Sequence, residues 1–271
     1  MNTLYDDLLA RTVLPNAYDD WAAYRTALTD FVIAHTAMDS HLLLVGAGAC
    51  NDFDLGRLLS HTKNLTLLDR DAAAMRRGMA RQGLPDDACM LTACDLLGVS
   101  DAAYRAFSDR MLHTARDVLG KGLPAERFAD RFVAELNQLL DSAAADPLPG
   151  ADAIVCSGVH SQLLSMFVRM ANVFSRYVSF DPAPVYSAVR AHNARLMPRL
   201  NDALFSAAPF VCFGLETERV GVIGGIDGAA EALADLSSRH LPILSETSLL
   251  WPLDPSQGKT YTVRAVWMGE K

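Results

Sequence analysis

Leu43-Leu44-Val45-Gly46-Ala47-Gly48-Ala49-Cys50-Asn51-Asp52 is the stretch whose reading decides the fold. An apolar run of strand length ends in Gly-x-Gly and meets Asn, a residue that favours helix starts. That order of strand, glycine turn and helix start is the opening of a nucleotide-binding α/β domain. Asn51, with Asp54 three residues on, is the expected cap of the first helix.

On both sides of this stretch the apolar pattern is periodic. Upstream, Tyr18, Trp21, Tyr24, Arg25, Leu28, Phe31, Val32 and His35 recur at intervals of three and four, so residues 1–40 read as a helical preface. Downstream, strand and helix signals alternate: a strand over Leu42 to Val45, a helix from Asp52 to Ser60, a strand from Leu65 to Leu68, a helix from Asp71 to Arg81 and a strand from Cys89 to Ala93. Nearly continuous apolar strands alternating with helices imply a parallel sheet covered on both faces. The rhythm breaks after Asp95. Tyr104, Phe107, Met111, Ala115 and Val118, then Phe128, Phe132, Leu136 and Leu140, repeat helically and define a helical insertion over 101–145, whose aromatic residues read as helix core. The sheet resumes at Ala153 to Cys156. Helices are expected from Gln162 to Phe174 and from Val185 to Leu204, a strand from Phe210 to Leu215, and a short helix from Asp227 to Ser237. Tyr261, Val263, Ala265 and Trp267 alternate with their neighbours as a half-buried strand at the sheet edge. The expected architecture is a Rossmann-like, doubly wound, mostly parallel sheet in a single domain spanning 1–271.

Composition narrows the function. A chain of 271 residues with 51% hydrophobic content can bury a full core. The formal charge of −8 argues against nucleic acid, which needs a basic face to displace counterions; Arg76, Arg77 and Arg81 read as the solvated face of one helix. No apolar run approaches the roughly 18–20 residues that span a bilayer, and Asp6 and Asp7 stand where a secretory leader would be basic. The expectation is a cytoplasmic protein with no membrane partner. Five cysteines without C-x-x-C spacing read as small buried hydrophobes in a reducing compartment. The histidines show no metal-ligand spacing, so no metal is expected, and Ser161 lacks the Gly-x-Ser-x-Gly frame of a hydrolase.

Ligands of open α/β sheets sit at the carboxyl ends of the strands. The residues there are Gly46 to Asp52, Asp69, Asp95, Ser157 to His160, and Glu216. A dinucleotide fingerprint needs a third small residue and bare amides facing a pyrophosphate. This chain has Asn51 at that position, and Asp52 and Asp54 would repel phosphate. A cationic, phosphate-free ligand suits these acids, and S-adenosylmethionine meets the description. Asp69 closes the second strand about 20 residues after the loop, where an acid accepts from ribose hydroxyls. Asp95 closes the third, where a carboxylate complements the adenine exocyclic amine.

In the motifs Val45-Gly46-Ala47-Gly48, Leu67-Leu68-Asp69-Arg70, Thr92-Ala93-Cys94-Asp95-Leu96 and Ala153-Ile154-Val155-Cys156-Ser157, the chain resembles the class I S-adenosylmethionine-dependent methyltransferases. The run Gly46 to Leu55, with Val159-His160-Ser161-Gln162-Leu163, is similar to a poorly characterised bacterial branch of them. The resemblance implies a seven-stranded sheet with an antiparallel strand near its end, and cofactor contacts by Gly46, Gly48, Asp69 and Asp95. The wider expected cofactor set adds Ala47, Asn51, Asp52, Arg70, Leu96, Ser157 and Gly158. Two departures stand out. The family often has a third glycine where this chain has Cys50, and an acid near the first strand where it has Ser40-His41-Leu42; Asp52 is the candidate replacement for that carboxylate.

His160 is the expected general base and Gln162 the residue that orients the acceptor, since both follow the fourth strand. The expected activity is direct methyl transfer to a small-molecule acceptor. The alternatives are a catalytically silent adenosyl-binding module and an NAD-dependent oxidoreductase. A homodimer stays open.

Overall fold

The computed structural model describes residues 3–222 and 225–269. Met1 and Asn2, at the start of the predicted helical preface, lie outside them, as do the last two residues of the predicted 1–271 domain. In chain order the elements are α1 (Leu4–Ala10), α2 (Ala17–Asp20), α3 (Ala22–His35), β1 (His41–Val45), α4 (Leu55–His61), β2 (Asn64–Asp69), α5 (Ala72–Arg81) and β3 (Met90–Ala93). There follow α6 (Asp101–Lys121), α7 (Glu126–Ser142), β4 (Ala153–Ser157), α8 (Ser165–Val178), α9 (Ala183–Ala207), β5 (Phe210–Arg219), α10 (Ala229–Ser238), β6 (Ile243–Asp254) and β7 (Lys259–Gly269). They form two compact units. One contains Pro15–Cys94, Pro147–Ser161 and the chain from Met197 on; the other contains the chain up to Leu14, Asp95–Asp146 and Gln162–Leu196.

The first unit holds a seven-stranded sheet in the order β3-β2-β1-β4-β5-β7-β6. The pairs from β3 to β5 are parallel, and β7 runs antiparallel to both β5 and β6. This is the sheet that the methyltransferase resemblance implies. The apolar strands behave as their sequence demands: Leu42, Leu43 and Leu44 of β1 and Ile154, Val155 and Cys156 of β4 have no exposed surface. The order reverses between β1 and β4, so the carboxyl ends of these two strands flank the crevice where open sheets bind ligands.

The final strand departs from its prediction. β7 is interior to the sheet, and the edge is β6, which the sequence pattern did not reveal. β6 carries Pro252 and alternates exposed with half-buried residues, as an edge strand can, because its outer amides have no ladder partner to lose. The two strands are joined through a 3-10 turn at Pro255–Gln257 that closes on Gly258. A bulge between Glu216 and Glu218 interrupts the β5–β7 register. Bulges re-aim the side chains beside them.

The second unit is helical. Its core is the aromatic stripe of α6 and α7 packed with α1 and α8: Tyr104 stacks on Tyr5 at 5.1 Å and on Phe167 at 5.2 Å, and Phe107 meets Phe132 edge-on at 5.1 Å. Ser100 caps α6 by accepting the Ala103 amide, and Gly122 ends it in the left-handed conformation. The preface is thus divided. α1 joins the helical unit, anchored by the Tyr5 hydroxyl donating to Asp101 at 2.8 Å and by Arg105 on Asp6 at 2.9 Å, whereas α2 and α3 belong to the sheet unit. Among the described residues no helix is long and apolar enough to cross a membrane, and no group of three or more His, Cys, Asp or Glu is placed to hold a metal.

Candidate functional site

The loop after β1 is held by its own backbone. The Gly46 and Ala47 amides both donate to Leu68 O, at 2.8 and 3.1 Å, and the Cys50 amide donates to Ala47 O at 2.8 Å. Gly46 has φ +74°, and a Cβ there would lie 2.2 Å from Val159 Cγ2. Gly48 has φ +50°, and a Cβ there would meet nothing nearer than Gly46 O at 3.9 Å. Cys50 adopts φ +53° although it is not glycine, which is how the chain keeps the turn without the family's third glycine.

Asp69 fastens this loop to β2. Its Oδ2 accepts the Gly48 amide at 2.9 Å and its Oδ1 the Asp71 amide at 2.9 Å. Burial raises its pKa, and the two amides oppose the rise. Each carboxylate oxygen keeps one further lone pair for a hydroxyl donor. Arg70 follows with an exposed side chain whose charge helps hold Asp69 ionised.

The predicted cap is corrected by one turn. α4 begins at Leu55, and its cap is Asp54, whose Oδ1 accepts the Arg57 amide at 3.0 Å. Asn51 is instead held at the loop: its Oδ1 accepts from Arg81 Nη1 and its carbonyl from Arg25 Nη1, each at 3.1 Å. Its caps and turns leave Asp52 in the loop, before the helix. Two further amides at the start of α4 are also occupied, Asp54 N by Thr29 Oγ1 at 3.0 Å and Leu55 N by Gln82 Oε1 at 2.9 Å. Gln82 was missed by the sequence reading. From α5's end it also donates to Cys50 O and Phe53 O, both at 3.0 Å, so one side chain brackets the whole segment. An isolated Gln after an Arg-rich helix carries no signal of that role.

On the other side of the crevice, the Ser157 hydroxyl is 3.0 Å from the Tyr24 hydroxyl, and Gly158 donates its amide to Gly214 O at 3.0 Å. Glu216, at the β5 bulge, is 2% exposed; its Oε1 accepts from Ser161 Oγ at 2.6 Å, and its Oε2 is buried with no partner. Asp52 Oδ1 is likewise buried and unpartnered. Burial, and then the charge of Glu216, push the Asp52 carboxyl up to about 7, against the pull of Arg25. Burial also raises Glu216 and lifts the Tyr24 hydroxyl well above its ordinary value. Trp251 of β6 stacks on Tyr24 at 5.7 Å and meets Trp21 edge-on at 5.0 Å. A Cβ on Gly158 would lie 3.5 Å from the Trp251 ring and 4.0 Å from Glu216 Oε1. Tyr24 was read only as a helix-face residue, and Trp251 sits on the strand that was not predicted.

His160 does not occupy the role expected of it. The residue is 1% exposed, and its Nε2 pairs with Asn201 Oδ1 at 3.0 Å. Asn201 in turn donates to Asp235 at 2.7 Å, which holds Arg239 at 2.6 Å. Burial drives the imidazole pKa down to about 4, so the ring is neutral near pH 7 and enclosed. It is a core histidine that ties β4's exit to α9 and α10. Asp95, Leu96 and Gln162 belong to the helical unit. There Asp95 Oδ1 accepts the Leu97 amide at 2.8 Å, Leu96 is half-buried, and the Gln162 carbonyl accepts the Ser165 amide at 3.1 Å ahead of α8.

No protein-family model matches this sequence, and no curated protein matches it. Solved structures do align with it. The N-methyltransferase NodS from Bradyrhizobium japonicum, in complex with S-adenosyl-L-homocysteine, aligns over 100% of this chain and 100% of its own at 14% identity, with a TM-score of 0.47. TehB from Haemophilus influenzae aligns over 91% of this chain and 62% of its own at 9% identity and a TM-score of 0.45. An O-methyltransferase family 2 protein from Planctomyces limnophilus, in complex with apigenin, aligns over 99% and 61% at 13% identity and a TM-score of 0.41. By its own strand order and reversed β7, the sheet unit has the fold of the class I S-adenosylmethionine-dependent methyltransferases.

Proposed function

We propose that the chain is an S-adenosylmethionine-dependent methyltransferase that moves the methyl group directly to a small-molecule acceptor. The observation that carries this reading is the state of the amides around the glycine loop. Those of Gly46, Ala47, Gly48, Cys50, Asp54, Leu55 and Arg57 all have acceptors inside the protein. A pyrophosphate depends on such amides being free, and these seven are not open to one. What the crevice offers instead is acceptors: Asp69 for ribose hydroxyls, and buried carboxyl oxygens that favour a cation over a phosphate. These suit an adenosyl group bearing a sulfonium and an ammonium and no phosphate.

Bound there, S-adenosylmethionine supplies an electrophilic methyl group on an already activated leaving sulfur. The protein's own task is then orientation, which can lower a barrier by about 7–11 kcal/mol when reacting atoms are held in line. Gly46 and Gly48 let the backbone come close, and Asp69 fixes the loop and the ribose together.

Calorimetry with S-adenosylhomocysteine tests the reading. Binding is expected, with a loss of about tenfold or more in Asp69→Ala, since hydrogen bonds to a charged group contribute about 1.5–3 kcal/mol. NADH fluorescence should stay unchanged on mixing. Absence of S-adenosylhomocysteine binding, or binding of NADH in its place, would overturn it.

A further inference from the structure

Resting on the methyltransferase reading, we propose that Asp52, Glu216, Tyr24 and Trp251 form the subsite of the methyl acceptor, and that the acceptor is a primary or secondary amine. Two carboxyl groups come from distant parts of the chain, one after β1 and one at the β5 bulge, and the charge of Glu216 reaches Asp52. Each presents a buried oxygen without a partner, Asp52 Oδ1 and Glu216 Oε2. Buried acceptors without donors are costly and therefore rare in folded proteins, which points to a ligand that brings the donors. Arg25 makes no hydrogen bond to either oxygen, although its charge acts on Asp52, and its Nη1 donates to the carbonyls of Tyr18 and Asn51, at 2.6 and 3.1 Å.

The ligand must be cationic and must carry N–H groups. A carboxylate or phosphate acceptor brings no donor to oxygens that already lack one, and a neutral hydroxyl gives one donor where two oxygens are open. An ammonium group has enough N–H bonds to reach both. The aromatic side is consistent with this: the Trp251–Tyr24 stack lies beside Gly158, within reach of Glu216, and aromatic faces attract alkylammonium groups. The carboxyls also answer a chemical need. An ammonium has no free lone pair; when one N–H bond breaks and its proton forms an O–H bond on Asp52, the electron pair stays on nitrogen, leaving a neutral nucleophilic amine. With a carboxyl pushed up to about 7, Asp52 is a far better proton acceptor than an ordinary aspartate.

The test uses the full chain and a set of probes matched in shape: benzylamine, benzyl alcohol, benzoate and benzyltrimethylammonium, each titrated by calorimetry and by tryptophan fluorescence. Benzylamine should bind about tenfold or more tightly than the other three, and Glu216→Gln and Asp52→Asn should each weaken it by about tenfold, the scale of one charge-assisted bond. Glu216→Gln should leave S-adenosylhomocysteine affinity unchanged, and Asp69→Ala should leave benzylamine affinity unchanged. Thermal melts of both carboxamide variants check that they are folded. Equal binding of benzyl alcohol, benzoate or the quaternary amine, or amine affinity indifferent to both substitutions, would overturn the amine subsite. Loss of S-adenosylhomocysteine binding alone would overturn the methyltransferase reading and leave the amine subsite standing.

Discussion

Gly48 donates its amide to Asp69 Oδ2 at 2.9 Å, so the carboxylate that closes β2 also fixes the loop that leaves β1. The same carboxylate holds the Asp71 amide, and through it the start of α5. Asp69→Ala leaves two amides without their acceptor and should cost about 1–3 kcal/mol in urea unfolding. Asp69→Asn should do little better, because its NH2 must face one of the two N–H donors. Full recovery of stability in the Asn variant would contradict this geometry.

Gln82 is expected to matter as much as any residue of the loop it supports. Gln82→Leu keeps the side-chain volume but strands the Cys50 and Phe53 carbonyls and the Leu55 amide. With about 1–3 kcal/mol for each buried group left unpaired, and partial relief by water, a loss of about 2–4 kcal/mol is expected. Chemical denaturation would measure it, together with faster amide exchange over residues 50–55. A loss under about 0.5 kcal/mol, the usual range for surface substitutions, would place Gln82 outside the bracket.

The two loop glycines should respond differently to alanine. At Gly48 only the left-handed backbone is at stake, a cost of about 1–2 kcal/mol. At Gly46 the added Cβ also meets Val159 Cγ2 at 2.2 Å, so overpacking adds about 1–3 kcal/mol more. Val159→Ala in the Gly46→Ala background should restore part of that loss. Thermal unfolding of the three variants would decide, and equal costs at the two glycines would count against the close approach of Val159.

Asp52 makes stability depend on pH in a defined direction. Its carboxyl rises from an ordinary value of 3.8 to about 7 on folding, through burial first and the Glu216 charge second, with Arg25 opposing and the neutral Tyr24 hydroxyl nearby. The folded state therefore holds the proton more tightly than the unfolded chain. Stability falls as pH rises from about 4 through 7, by a few kcal/mol in all. Asp52→Asn should then be more stable than the parent at pH 8, with the advantage shrinking to nothing near pH 4. Urea titrations at both values would show it; an advantage that grows at low pH would reverse the assignment.

The strands, the glycine loop and the helical faces were legible because each is a local pattern. Leu42 to Val45 and Ala153 to Cys156 are apolar throughout and are buried on both faces, and Phe107, Phe128 and Phe132 recur at helical spacing and form a core. The place of Asp69 at the end of β2 was legible because the distance from glycine loop to strand end is set by one strand-helix-strand unit. β6 was not legible, since an edge strand with Pro252 and exposed Leu250 lacks an apolar face of its own. The polarity of His160 suggested a base, but polarity does not report burial, and only the packed structure shows the ring enclosed against Asn201.

By itself, then, the sequence determined a parallel α/β sheet with a glycine loop followed by acidic residues, because periodicity and turn chemistry act over a few residues. Tertiary structure alone decided that Asp54 caps α4, that Gln82 brackets the loop, and that the charge of Glu216 reaches Asp52 and Tyr24, on which Trp251 stacks. Those four come from α3, the loop after β1, β5 and β6. What places them together is the strand order and the bulge at Glu216, long-range pairings that no local pattern encodes.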